Sequence, residues 1–333
     1  MSNIKSDTTV VENLNAKSNK LSNLLSLGGA TGPLIGLILL CIFLTFATDS
    51  FFSMRNFLNV LDQITVLGIM AVGMTFVILI AGIDLSVGSV LALAMMVLGY
   101  LNVSVGLPMW VAIPGALFAA SLAGFASGLW ITRFNVPPFI ATLAMMSIAR
   151  GIANMITNGQ QIIGFPSWFN MAAIIRYGGF LTMTVAVMLI VFVIAWIFQR
   201  YRSEGRSLYA IGGSPEVARL AGINVKRTTT LVYTTSAFLS GLAGIMLAAR
   251  LDSVQPSSGV AYELDAIAAV VIGGTSLSGG SGGIGGTIVG VLIIGVLRNG
   301  LNLLGVSPFV QAVIIGFVIV FAVAAETFKG RSK

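Results

Sequence analysis

The sequence predicts an all-α polytopic membrane protein of about ten transmembrane helices, and three observations carry that prediction. Of 333 residues, 56% are hydrophobic and only 9% charged, where a soluble domain carries about 25%. Apolar runs of spanning length recur along the whole chain. The 18 Lys and Arg are clustered, with three in the first 30 residues, six in 199–227 and three at the C-terminus. That clustering is the positive-inside signature of membrane topology. It argues against a nucleic-acid face despite the formal net charge of +7.

Taken in order, residues 1–30 are polar and lack a short apolar core with a cleavage site. They read as a disordered cytosolic tail and not as a signal peptide. Apolar runs then follow at 32–48, 57–80, 85–103, 109–131, 138–157 and 179–198. At about 1.5 Å per residue each covers about 30 Å or somewhat less. From a cytosolic start, these six crossings return the chain to the inside at the basic segment 199–227. Four more, at 228–249, 264–280, 285–304 and 309–325, return it there again at Lys329, Arg331 and Lys333. The expected organisation is a tail (1–30), a transmembrane domain (31–326) interrupted by an inner loop (199–227), and a short cytosolic end (327–333). So assigned, 13 basic residues, Arg133 among them, lie inside, and Arg55, Arg176 and Arg250 lie outside. The segments 81–90 and 273–286 are ambiguous and leave eight to eleven spans open.

The inner loop carries helix punctuation. Ser214 suits an N-cap, Pro215 the first helical position, and Glu216 the positive helix end. Gly222 ends the helix after about two turns, with Val217, Ala218 and Arg219 inside it. A short rigid helix at the inner face reads either as a docking knob for a cytosolic partner or as an ordinary interhelical loop.

Chemistry is narrowly bounded. There is no His, and Cys41 is the one Cys. This excludes an internal disulfide and His- or Cys–His-based catalysis, and makes zinc, haem or iron–sulfur ligation untenable. The run Gly273–Gly286 contains no Lys, and no G-K-[ST] occurs elsewhere, so no Walker A motif binds ATP. Its glycines serve close helix packing or direct substrate contact. Gly82-Ile-Asp84-Leu-Ser86-Val-Gly88 and Gly274-Thr-Ser276-Leu-Ser278-Gly-Gly280 share the pattern G-x-[DS]-L-S-x-G. Both fall on inner turns, as an internal duplication would have them.

Polar groups inside apolar runs are the remaining candidates, because charge at membrane depth is costly. Asp84, beside Ser86, is read either as a cap on the third span, accepting Leu85–Val87 N–H groups, or as a pathway acid. Asp62, Arg150 and Arg298 each lie inside a span toward its outer end, with Asn299 and Asn302 beside Arg298. They either line a vestibule for a hydroxylated solute or pair internally, Arg298 with Asp265 or Asp62 for example. Gln311 and Asn59 fit either arrangement.

The order Glu216-Val217-Ala218, three residues, then Gly222 resembles the EAA loop of ABC-importer permeases, with Val217 in place of the first Ala. Five further runs, "AGIDLSVGS" (81–89), "NGQQIIGF" (158–165), "GRSLYAIGGSPEVARLAGINVKR" (205–227), "ARLDSVQPSSGVAYELDAIAAVVIGGTSLSGG" (249–280) and "RNGLNLLGVSPF" (298–309), are similar to ribose-type permeases of bacterial ABC monosaccharide importers. The resemblance covers nearly all of the chain from about residue 33. It implies a type II importer-like permease in the bacterial inner membrane, paired with a second copy of itself. It also implies cytosolic ATPase subunits that carry ATP and Mg, and a periplasmic sugar-binding protein. This chain would hold no cofactor, and Glu216–Gly222 would be the coupling element. The rival class is an ion-coupled secondary sugar transporter, for which only Asp84 and Asp62 offer membrane-embedded acids.

Overall fold

The computed structural model describes residues 31–331. The expected cytosolic tail 1–30 and the last two residues lie outside the described residues. Helix α1 (Thr31–Ala47) is followed by α2 (Met54–Leu79) and α3 (Val87–Gly99), which runs on through a π turn at Tyr100–Ser104. Next come α4 (Met109–Arg133), α5 (Pro138–Met155), the short α6 (Ser167–Ile174) and α7 (Met183–Tyr201). The segment between α7 and α10, the loop expected at the inner face, forms α8 (Ser203–Gly213) and α9 (Pro215–Leu220). The chain ends with α10 (Val225–Leu251), α11 (Tyr262–Ile272), α12 (Ile284–Leu303) and α13 (Pro308–Arg331). A two-stranded antiparallel clip pairs β1 (Ile162–Ile163) with β2 (Ser253–Val254).

Among the described residues, six helices are long and apolar enough to cross a membrane: α2, α3 with its π turn, α4, α7, α10 and α12. The chain is therefore polytopic. Helices α1 and α13 supply shorter apolar stretches. One expected span needs correcting. The run 264–280 is not a crossing helix, because α11 stops after 11 residues at Ile272, about 16 Å at the usual rise. Non-helical chain, with a turn closed by Ser258 N–H to Gln255 O, leads into it. Val254 packs on Gly99 near the end of α3, whereas the Gly259 carbonyl lies against Gly88 near its start. Those two glycines are 11 residues apart on one helix, about 16 Å at the helical rise. Apolarity alone cannot tell such a half-helix from a whole one.

Helix α2 is the centre of the molecule. Every residue from Gly68 to Leu79 is buried, the mark of a helix wrapped by others on all sides. It packs against α10, α12, α7 and α11, while α10 also lies along α4 and α3. The closest of these seams has an identifiable sequence cause. Ala112, Ala116, Ala120, Gly124 and Gly128, four residues apart, form a buried stripe on α4. A Cβ on Gly124 would stand 2.4 Å from the Tyr233 carbonyl oxygen, and one on Gly128 would stand 2.8 Å from Thr230 Cα. Small residues at this spacing let two membrane helices approach backbone to backbone, where dispersion replaces the missing hydrophobic drive.

Candidate functional site

The inner loop folds as its punctuation demands. Ser214 is extended (φ −164°) and its side chain accepts the Val217 N–H at 3.3 Å, with Pro215 at the first helical position. At the other end Gly222 N–H donates to Arg219 O and Ile223 N–H to Ala218 O, both at 3.0 Å. This is the paired closure that places a left-handed residue after a helix, and Gly222 has φ +84°. Ala218 faces inward and is buried, whereas Val217 and Leu220 are 64% and 75% exposed. Glu216 pairs with Arg219 at 2.6 Å, both side chains well exposed. An exposed pair of this kind is worth about 0.5 kcal/mol or less, so fold stability does not account for the charges there. The outward face of α9 is two apolar side chains ringed by charge.

Helix α8, which its sequence does not announce, is what seats α9. Leu208 and Ile211 are buried, and Tyr209 Oη donates to the Gly282 carbonyl at 2.8 Å. A Cβ on Gly212 would stand 1.9 Å from the Leu79 carbonyl oxygen and 2.4 Å from Gly280 N. Leu79 O in turn accepts the Gly280 N–H at 3.0 Å. Gln199, at the end of α7, accepts the Ile284 N–H at 3.0 Å. The hairpin α8–α9 therefore rests on both glycine-containing inner turns at once, one after α2 and one after α11. The glycines of 273–286 do act in close packing, with Gly273 and Gly286 backbone to backbone.

Those turns repeat each other bond for bond. Helix α2 closes with Ala81 N–H to Ile78 O and Gly82 N–H to Val77 O; α11 closes with Gly274 N–H to Val271 O and Thr275 N–H to Val270 O. Then Asp84 Oδ1 accepts the Ser86 N–H at 2.9 Å, and Ser276 Oγ accepts the Ser278 N–H at 3.3 Å. The second copy has one residue fewer between closure and turn. The motif echo in the sequence is thus matched by an echo in backbone geometry.

Asp84 is 1% exposed. Its carboxylate accepts from Ser86 N and Ser86 Oγ (2.6 Å) and from Ser236 Oγ on α10 (2.9 Å). Of the Leu85–Val87 N–H groups only Ser86 is bonded this way, and Ser86 itself holds the N-cap position of α3. Asp84 thus ties the turn to α3 and to α10. The Tyr233 hydroxyl is buried beside Gly82.

The outer candidates do not form one cluster. Asp62 pairs with Arg176 at 2.7 Å and accepts from Thr182 Oγ1 at 2.8 Å. Arg176 also reaches Asn59 at 3.2 Å, and Arg250 donates to the Asp62 carbonyl at 2.7 Å. Arg150 donates to the carbonyls of Pro256 and Ser258, holding the non-helical segment before α11. Arg298 pairs with Asp265 and not with Asp62. Asn299 and Asn56 exchange two side-chain bonds of 2.9 Å, and Asn302 accepts from Gln311 at 2.8 Å. Each of these polar groups has a protein partner. Asp265, Arg298, Arg250 and Tyr262 line a cavity of only about 70 Å3, room for about two waters at about 30 Å3 each. Sequence reasoning missed Arg176, Ser236, Tyr209 and Gly212, all of which act through residues far away in the sequence.

Known proteins were compared with this chain. A family model described as "Branched-chain amino acid transport system / permease component" matches residues 56–323. The ribose import permease protein of Haemophilus influenzae is 46% identical over 302 residues, covering 90% of this chain and 93% of that protein. Its namesake in Bacillus subtilis is 47% identical over 300 residues, with 90% and 92% covered. The fructose import permease protein of Rhizobium meliloti is 36% identical over 316 residues, with 92% and 88% covered. No solved structure matches. With a match over most of its length and buried glycine-closed turns beneath a capped inner helix, the chain belongs to the family of branched-chain amino acid transport system permease components.

Proposed function

We propose that this chain is the membrane-spanning permease subunit of an ATP-driven ABC importer that brings a monosaccharide into a bacterial cell, ribose before other sugars. Ribose ranks first because relatives named for ribose import are 46% and 47% identical, against 36% for the fructose and 33% for the xylose relative. The observation that carries ATP coupling is the α8–α9 hairpin, a capped helix with an exposed apolar face seated on two rigid turns. Ser214, Pro215, Glu216, Val217, Ala218, Arg219 and Gly222 form its docking end. ATP hydrolysis then belongs to a separate cytosolic ATPase, and the sugar arrives on a periplasmic binding protein.

The finer reading has ten membrane passes with both termini cytosolic, domain limits at 31–326, and the chain paired with a second copy. The α11 pass is part non-helical chain and part helix. The solute path runs between the copies and is mostly apolar, with Asn, Gln and Ser as weak, exchangeable partners. Asp62, Arg150, Arg298, Asn299 and Asn302 brace the outer end of that path through their internal pairs, and Asp84 with Ser86 braces the inner turn. A hydroxylated solute passed along by a power stroke needs no deep well, because tight binding would have to be overcome in turn.

Reconstitution tests the proposal. Proteoliposomes holding this chain, the ATPase and the binding protein should take up labelled ribose only with internal or external ATP facing the ATPase. Uptake by the chain alone under a proton or sodium gradient would establish the ion-coupled class instead.

A further inference from the structure

We propose that the basic ends of α4 and α10 form a binding site for an anionic phospholipid, with the headgroup held by Arg133, Lys226 and Arg227. The three cations line one pocket of about 460 Å3 whose remaining walls include Phe125, Leu129 and Leu231. No acidic residue lines it. Among the described residues the ion pairs are Arg176–Asp62, Arg219–Glu216 and Arg298–Asp265, so none of the three cations has a carboxylate partner. Basic residues at a membrane boundary ordinarily reach separately toward water and headgroups. Here they converge from two helices pinned together by Thr132 and Thr230, whose hydroxyls are 3.0 Å apart. Positive charge over apolar walls is the complement of a phosphate ester on an acyl chain.

A second cavity continues the site. Leu231 also lines a cleft of about 660 Å3 between α2, α7, α8 and α10, whose walls are apolar except at Glu204, Thr228 and Thr235. The cleft follows α10 from Thr228 to Leu242, about 21 Å at the helical rise, a length and an apolar lining that suit an acyl chain continuing from the basic pocket. The site holds whatever solute the chain carries, and it does not depend on the ATPase.

The test uses the purified full-length chain in a neutral detergent, titrated with phosphatidylglycerol or phosphatidylethanolamine of identical chains and read by native mass spectrometry and thermal unfolding. The intact chain should retain phosphatidylglycerol in preference to phosphatidylethanolamine. The triple variant Arg133→Gln, Lys226→Gln, Arg227→Gln should need about a hundredfold more phosphatidylglycerol for equal occupancy, at roughly fivefold per basic residue. Leu231→Trp, which keeps every charge and narrows the junction of the two cavities, should also weaken retention and guards against a triple variant that fails to fold. Equal retention of the two lipids by the intact chain would overturn the site, as would unchanged retention by both variants. Displacement of the lipid by soluble glycerol 3-phosphate would overturn it in favour of a free phosphate ester. A change in oligomeric state with Leu231→Trp, without a change in lipid retention, would reassign the cleft to an interface between copies.

Discussion

At the scale of single residues, burial and partners decide what each polar group does. Asp84 accepts three hydrogen bonds in a site closed to solvent. Asn at this position still accepts from Ser86 and can donate to Ser236, whereas Leu leaves two buried hydroxyls and an N–H unpaired, at about 1–3 kcal/mol each. Asp84→Asn should therefore express and transport within about twofold of the parent, and Asp84→Leu should lose most of its folded protein. Well-folded protein with transport lost in both variants, measured by uptake beside detergent-solubilised yield, would instead assign the carboxylate a charge-dependent pathway role. Arg298 gives a parallel case. Its partner Asp265 is only 8% exposed, while Arg298 itself is 41% exposed. Removing Arg298 strands a buried carboxylate, and after discounting for the exposed side the cost is about 2–3 kcal/mol. Arg298→Ala should lower the thermal midpoint before it changes sugar preference, and Arg298→Ala with Asp265→Asn should recover part of the loss. Altered preference in a well-melting single variant would contradict the bracing role.

At the scale of elements, α8 and α9 form one device. Gly212 and Gly213 are adjacent in sequence but not in consequence. A Cβ at Gly212 meets the backbone of Leu79, whereas a Cβ at Gly213 meets nothing within 4 Å. Gly212→Ala should force α8 off the two turns, and in the assembled importer it should lower the number of sugars moved per ATP. Gly213→Ala should be neutral, so equal coupling ratios in the two variants would dismiss the seat as a transmission point. Glu216→Lys tests the other end. It loses an exposed ion pair and a favourable charge at a helix start, together about 1 kcal/mol at most. Thermal stability should hold while ATPase capture falls at least about tenfold, since the charge is reversed on the proposed docking face. A variant that assembles and transports normally would place docking elsewhere.

At the scale of the whole molecule, the prediction is topological. With Cys41→Ser as background, a cysteine at Ser203 should react with a membrane-impermeant maleimide only after the inner face is opened. Labelling of Ser203→Cys in intact cells would invert the topology.

How much of this was legible in the sequence follows from what each signal needs. Hydropathy depends only on composition along the chain, so the membrane class could be read directly. The cap of α9 could also be read, because Ser214, Pro215 and Gly222 act within one turn of themselves and local chemistry suffices. The family was legible through long ordered runs of residues. Other features depend on the packing of distant segments. Asp62 meets Arg176 across 114 positions and Asp84 meets Ser236 across 152, and nothing local selects those partners over Arg298. The half-length of α11 was hidden because Gly273–Gly280 carries no charge and extends the apolar run, although its glycines close the helix at Ile272. The seat of α8 was hidden because Gly212 matters only through Leu79 and Gly280. The sequence by itself determined the membrane class and where α9 begins and ends, since hydropathy and capping are local. The tertiary structure alone decided which charges neutralise one another and which turns carry the hairpin, because a buried polar group is stable only beside whatever partner the packing brings within about 3 Å.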